Sequence, residues 1–220
     1  MSLRPRPASP FADRTAAGDV LGAEVARLLA GEPAPVVLGL PRGGVPVAAG
    51  VARALGAPLD VLVVRKLGVP GHEELAFGAL ASGGVRVLND DVVAEAGLGE
   101  DEMAEVARRE GAELERREHR YRPGRPPVEV QGRTVDLVDD GLATGATMSA
   151  AVHAVRVRAA RRVVVAVPVG SAFACDRLAA EADALLCCLE PVRFQAVGRW
   201  YRDFTAVGDD AVAAILASGG

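Results

Sequence analysis

Val135-Asp136-Leu137-Val138-Asp139-Asp140-Gly141-Leu142-Ala143-Thr144-Gly145-Ala146-Thr147 is the stretch on which the reading of this chain turns. An apolar run ends in two adjacent carboxylates, a turn of small residues follows, and a helical pattern starts at Thr147. A strand, a tight turn and a helix start in that order aim backbone N–H groups at whatever sits above the turn, and the helix dipole adds positive potential there. Such a turn is a cradle for a phosphate. The neighbouring carboxylates, Asp139 and Asp140, are placed to accept hydrogen bonds from vicinal hydroxyls. A phosphate holder beside a diol holder describes a site for a 5-phosphoribosyl group. The alternative, an ordinary strand-turn-helix with a polar turn, leaves the acid doublet and the Gly-x-x-Thr-Gly-Ala-Thr spacing unexplained. The Gly-Lys-Ser/Thr ending of a Walker loop is missing, and no Gly-x-Gly-x-x-Gly follows a strand here.

Outward from this segment, strands alternate with helices. Apolar spacing predicts a helix over Thr15–Ala30, closed by Gly31, a strand over Pro35–Leu40, and a helix over Val45–Leu55. Asp60–Val64 reads as a buried parallel strand, with Arg65 and Lys66 just beyond its end. Leu67–Gly78, rich in glycine, reads as a loop or irregular hairpin, and Val85–Leu88 as a strand. Asp101–Arg120 is a charged surface helix. Thr134–Asp139 is the motif strand, and Thr147–Arg158 the helix after it. Arg162–Pro168 and Ala184–Leu189 are further strands with a helix between, and Asp209–Ala217 closes the chain as a helix. The pattern predicts an α/β fold: a mainly parallel twisted sheet with helices on both faces. Ligands in such sheets bind beyond the carboxyl ends of the strands, where Arg42, Arg65–Lys66 and Asp139–Asp140 are expected to converge.

Leu40-Pro41-Arg42-Gly43-Gly44-Val45 sets a cation and two glycines between a strand and a helix. Glycines let the backbone approach an anion closely, and Arg42 offers a fork of donors. Lys66 is the single lysine among 25 basic residues, a compact charge that a guanidinium does not replace. His72 is read either as an anion contact or as a solvated loop side chain; Glu73 and Glu74 are expected to be solvated or to fix the loop rather than to be catalytic. Phe194 to Phe204 holds four of eight aromatics, Phe194, Trp200, Tyr201 and Phe204. Taken by itself it reads as an apolar plug over the domain edge or a dimer contact.

The acid doublet and its Thr-Gly loop closely resemble the phosphoribosyl-pyrophosphate motif of type I phosphoribosyltransferases, and the resemblance extends from about Val36 to Leu189. It implies that Ala143, Thr144, Gly145, Ala146 and Thr147 bind the 5′-phosphate. Asp139 and Asp140 would hold the ribose hydroxyls, and Arg42, Gly43 and Lys66 the pyrophosphate, with Asp139, Asp140 and Lys66 as the catalytic set. It implies a cis peptide between Pro41 and Arg42, a loop over 67–78 that closes on the site, and a small hood that covers the base by stacking, with candidates in 1–14 and 191–207 and Phe194, Trp200 and Tyr201 as its base contacts. Magnesium arrives with the substrate, and Asp139 and Asp140 reach it at most through water. The implied reaction moves a 5-phosphoribosyl group from phosphoribosyl pyrophosphate to an unidentified nitrogen base; the alternative is a non-catalytic sensor of the same ligand. Hypoxanthine-guanine members carry an aspartate where this chain has Ala143. Asp136 departs from the family pattern, which places an apolar residue there.

The chain has 220 residues, half of them hydrophobic and 4% aromatic, so one domain over 1–220 with an aliphatic core is expected. A net charge of −4 and a pI near 5.5 disfavour nucleic acid as a partner. No apolar run reaches membrane-spanning length, and the N-terminal residues lack a signal pattern. Three cysteines, two adjacent and Cys175 apart, make no disulfide framework and fit reduced thiols in the cytoplasm. A homodimer is left open.

Overall fold

The computed structural model describes residues 11–33 and 35–219; the hood expectation for residues 1–10 lies outside them. The chain runs α1 (Arg14–Leu28), β1 (Val36–Gly39), α2 (Gly44–Leu55), β2 (Leu59–Val61), β3 (Val64–Val69), β4 (His72–Ala81), β5 (Val85–Leu88), α3 (Asp90–Ala96) and α4 (Glu100–Tyr121). It continues through β6 (Thr134–Val138), α5 (Ala146–Val157), β7 (Arg162–Val169), α6 (Ala172–Glu181), β8 (Ala184–Leu189), a 3₁₀ turn (Val197–Trp200) and α7 (Asp209–Ala217). β2, β1, β6, β7 and β8 form, in that order, a parallel sheet. The apolar strands alternate between two cores. Val36, Leu38, Val135, Leu137, Val163 and Val165 pack with residues of α5 and α6, whereas Val37, Val164 and Ala166 pack with α1, α2 and α7. Burial on both faces explains why these strands read as continuous apolar runs.

Where the sequence placed one strand and a loop, the chain changes sheets. Leu62 still donates to the Gly39 carbonyl, but Val63 donates to Ser82 Oγ and Ser82 donates back to the Val63 carbonyl. From there β3, β4 and β5 form a separate antiparallel sheet. Lys66 therefore sits inside β3, paired with Ala79, and not just beyond a strand of the parallel sheet. The 67–78 segment is a hairpin, as one of its two readings had it. Its glycines serve the backbone: the register slips at Gly68, whose missing Cβ would lie 2.8 Å from the Glu73 carbonyl oxygen, and Gly71 turns with φ +77°.

Two buried acids mark the sheet. Asp60, at β2, accepts from the Val61 and Val128 amides at 2.8 and 2.9 Å and from Arg122 Nη1 at 3.1 Å, tying the end of α4 to the sheet. Asp136 lies mid-strand between Val37 and Val164, fully buried, and neither carboxylate oxygen has a partner among the described residues. Burial alone pushes its pKa up from 3.8 to about 8, so it is carried as the neutral acid.

Candidate functional site

β6 ends at Val138, and the chain turns through Asp139–Gly145 before α5 begins. Gly145 takes φ +76° at the helix N-cap and supplies no side-chain cap; the Ala146 amide reaches Thr144 Oγ1 at a long 3.5 Å, and the amides of Thr147 and Met148 are left for a ligand. The turn is braced from beneath. Leu142 bridges Gly170 at the end of β7, and Ser171 Oγ donates to the Ala143 carbonyl at 2.7 Å. Behind it, a Cβ at Gly170 would lie 2.6 Å from Cys175 Sγ and 3.3 Å from Cys187 Sγ. Cys175, isolated in sequence, thus packs beside Cys187, and none of the three cysteines forms a disulfide among the described residues.

The Arg42–Gly43 loop comes against the acid pair. The Pro41–Arg42 peptide is cis, as expected. A Cβ at Gly43 would lie 2.0 Å from Asp140 Oδ2, and one at Gly44 2.8 Å from Asp139 Cα. Only glycines permit that approach. The Arg42 guanidinium stands half exposed, 3.9 Å from Asp209 at the start of α7.

Asp139 and Asp140 are partly covered. Asp139 Oδ1 accepts from the Asp140 amide at 2.8 Å. Burial, then the adjacent Asp140, holds the Asp139 carboxyl well above the usual range. Burial also raises Asp140, while the hydrogen bond from Arg14 pulls it back. Arg14 Nε donates to Asp140 Oδ2 at 2.7 Å. The motif reading missed Arg14 altogether. The one local signal was a cation in the first turn of a helix, where the dipole favours an anion.

The aromatic segment does return to the site, but inward. Phe11, Tyr201 and Phe204 stack in sequence, with centroids 5.6 and 5.0 Å apart, and Phe11 and Tyr201 are buried in the core on the α1 side. The Tyr201 hydroxyl donates to the Asp140 carbonyl at 2.6 Å. Tyr201 is closed to stacking on a base, because its ring packs against the core and its hydroxyl is used. Phe194 and Trp200 are half-buried against the same core. Val197 packs on Gly141, where a Cβ would lie 2.6 Å from its Cγ1.

Lys66 stands on the other flank of the turn. It is exposed and lines a cleft of about 810 Å³ between the antiparallel sheet and α5, bordered by Thr144 and Ala146 and extending to His153 and Arg177. Arg65, expected at the same edge, instead pairs with Glu110 of α4 at 2.6 Å. His72, Glu73 and Glu74 are exposed at the hairpin tip. Among the described residues no three His, Cys, Asp or Glu side chains gather as a metal cage, and no helix is long and apolar enough to cross a membrane.

A parallel sheet whose edge gathers a helix N-terminus, an acid pair and a glycine loop places the chain among α/β proteins with a site at the carboxyl ends of the strands. The comparisons narrow that class. A family model described as phosphoribosyl transferase domain matches residues 18–187, and the chain belongs to that family. It is 52% identical over 206 residues to a Mycobacterium tuberculosis H37Rv protein provisionally named phosphoribosyl transferase Rv0571c, covering 94% of this chain and 46% of that one. This chain therefore spans about half the length of that relative. The crystal structure of TT1426 from Thermus thermophilus superposes with a TM-score of 0.86 at 47% identity, covering 96% of this chain and 99% of that one. A Neisseria gonorrhoeae protein crystallised with bound ppGpp shares the fold alone, at a TM-score of 0.50 and 13% identity over 100% of this chain and 99% of that one.

Proposed function

We propose that this chain binds phosphoribosyl pyrophosphate with magnesium and transfers its 5-phosphoribosyl group to a nitrogen base, releasing pyrophosphate. The observation that carries the reading is the contact of Gly43 with Asp140: two loops 97 positions apart in sequence meet at one sheet edge, beside the open N-terminus of α5. The 143–147 turn would hold the 5′-phosphate through backbone N–H groups. Asp139 and Asp140 would accept the ribose hydroxyls and offset positive charge that develops on the ring as the bond to pyrophosphate lengthens. Arg42, the Gly43 amide and Lys66 would stabilise the departing pyrophosphate. The donor set fits magnesium held mainly by substrate oxygens, since two carboxylates are too few for a protein cage. Bound there, the ion would neutralise pyrophosphate charge.

The buried position of Tyr201 favours a second reading, a sensor that binds the same ligand without turnover, because it removes one expected stacking surface for a base. Binding and turnover separate the two. A ligand that binds only the folded state at about 100 times its dissociation constant stabilises it by roughly 2.7 kcal/mol. Phosphoribosyl pyrophosphate with magnesium is expected to raise the melting temperature of the wild type and not of an Asp139→Ala/Asp140→Ala variant. No shift in the wild type at millimolar ligand refutes both readings. Binding without nucleotide formation across a panel of bases favours the sensor.

A further inference from the structure

Small residues decide where α1 begins. A Cβ at Gly18 would lie 2.6 Å from the Val47 carbonyl oxygen, one at Gly22 2.8 Å from that of Gly50, and one at Gly50 2.5 Å from the Gly18 carbonyl carbon. Gly18 meets Val47 and Gly50, and Gly22 meets Gly50 and Ala54, so the two helices run side by side in the same direction. Their N-termini are therefore neighbours. Arg14, the first residue of α1, comes over Gly43, the N-cap of α2; a Cβ at Gly43 would lie 3.3 Å from Arg14 Nε.

The guanidinium is clamped on three sides. Nε donates to Asp140 Oδ2 at 2.7 Å, Nη1 donates to the Thr205 carbonyl at 2.9 Å, and the Phe204 ring centre lies 3.8 Å from its carbon. The side chain is only 11% exposed. A cation at this place opposes the dipole of its own helix, and is held there by the acid it meets. The guanidinium gives Asp140 one hydrogen bond through Nε while Nη1 ties the same rigid plane to Thr205, so the donor is held at a fixed place against Oδ2 as a flexible ammonium is not. It occupies Oδ2 and leaves Oδ1 to a ligand. The Tyr201 hydroxyl fixes the same residue through its backbone carbonyl.

We propose that Arg14 is a positioning residue that sets the preference of this site for a vicinal diol: by holding one oxygen of Asp140 it orients the other toward a sugar hydroxyl, and so selects ribosyl over 2-deoxyribosyl phosphates. The inference rests on the reading of Asp140 as a hydroxyl acceptor. Arg14 itself touches no reacting atom. Its reach from α1 through Asp140 to the 204–205 segment also links the N-terminal and C-terminal parts of the chain at the site.

The test is the ratio of affinities for ribose 5-phosphate and 2-deoxyribose 5-phosphate, measured by NMR titration with magnesium on the wild type, Arg14→Gln, Arg14→Lys and Phe204→Leu. The wild type is expected to prefer the ribosyl ligand by a factor on the order of ten, the size of one hydrogen bond to a charged group. Arg14→Gln is expected to bring the ratio near unity by weakening the ribosyl ligand while leaving the deoxyribosyl one nearly unchanged. Arg14→Lys restores part of the ratio, and Phe204→Leu, which removes the ring beneath the guanidinium, lowers it by less than Arg14→Gln. A role confined to folding would weaken both ligands alike; an unchanged ratio in Arg14→Gln therefore overturns the inference while leaving Asp140 in its place. A wild type without preference shows that Asp140 does not hold the 2-hydroxyl and removes this inference. If Arg14→Gln shows no cooperative melting, the ratios in Arg14→Lys and Phe204→Leu decide by the same criterion.

Discussion

Asp136→Val is expected to remove a pH dependence of stability that the wild type owes to one side chain. Asp136 is buried between Val37 and Val164 with both oxygens unpartnered, and burial raises its pKa from 3.8 to about 8. In the unfolded chain the carboxyl ionises near its ordinary value; in the folded chain it keeps its proton until near pH 8. Between those values the native state binds the extra proton, so stability falls as pH rises. The slope is about 1.4 kcal/mol per pH unit, and it vanishes below the unfolded pKa and above the folded one. From about pH 5 to about pH 7 the wild type should therefore lose roughly 2.7 kcal/mol relative to a variant without the group. Valine matches its cross-strand neighbours, and any overpacking cost, about 1–3 kcal/mol, is independent of pH. The quantity to measure is thus the difference between the two proteins in urea-unfolding free energy at about pH 5, 6 and 7. Asp136→Val should gain on the wild type with each unit. A constant difference across that range would mean that Asp136 is solvated or partnered in the native state, and would refute the linkage.

Gly43→Ala should leave the fold cooperative but abolish the thermal shift from phosphoribosyl pyrophosphate, because the new methyl meets Asp140 Oδ2 at 2.0 Å and displaces the carboxylate; an undiminished shift would show the loop to be yielding. Arg122→Met removes the closer and more deeply buried cation at Asp60, leaving only Arg125 at 3.9 Å, and is expected to cost about 3–5 kcal/mol of unfolding free energy. A loss below about 1 kcal/mol in denaturant titration, the scale of an exposed pair, would argue against a buried clamp. Lys66→Ala should weaken a pyrophosphate-bearing ligand far more than ribose 5-phosphate, with Lys66→Arg restoring only part; equal losses place Lys66 outside the pyrophosphate subsite. Hypoxanthine and guanine should be poor acceptors, since Ala143 has no group to exchange a proton with a purine nitrogen and such help is typically worth about 10²–10⁴-fold. Guanine turnover with kcat/KM above about 10⁴ M⁻¹s⁻¹ would refute this.

The strand, acid doublet, turn and helix at 134–157 were legible because each step is local: an apolar run, two charges, small residues and a 3.6-residue period. The alternation of strands and helices was legible for the same reason, and with it the edge where the Gly43–Gly44 loop meets Asp139 and Asp140. Tertiary structure decided what local pattern does not encode. Lys66 belongs to an antiparallel hairpin because the chain leaves the parallel sheet at Val63 to pair with Ser82, a partner 19 residues away. The glycines that suggested a loop at 67–78 turned out to serve a bulge and a turn. Tyr201 faces inward because Phe11 and Phe204 enclose its ring and the Asp140 carbonyl takes its hydroxyl. Arg14 meets Asp140 across 126 positions because three glycines let two helices lie in close contact with their starts aligned. Periodicity determines which face of an element is buried. Which distant side chain that face then meets depends on backbone approach, which only the assembled layers set.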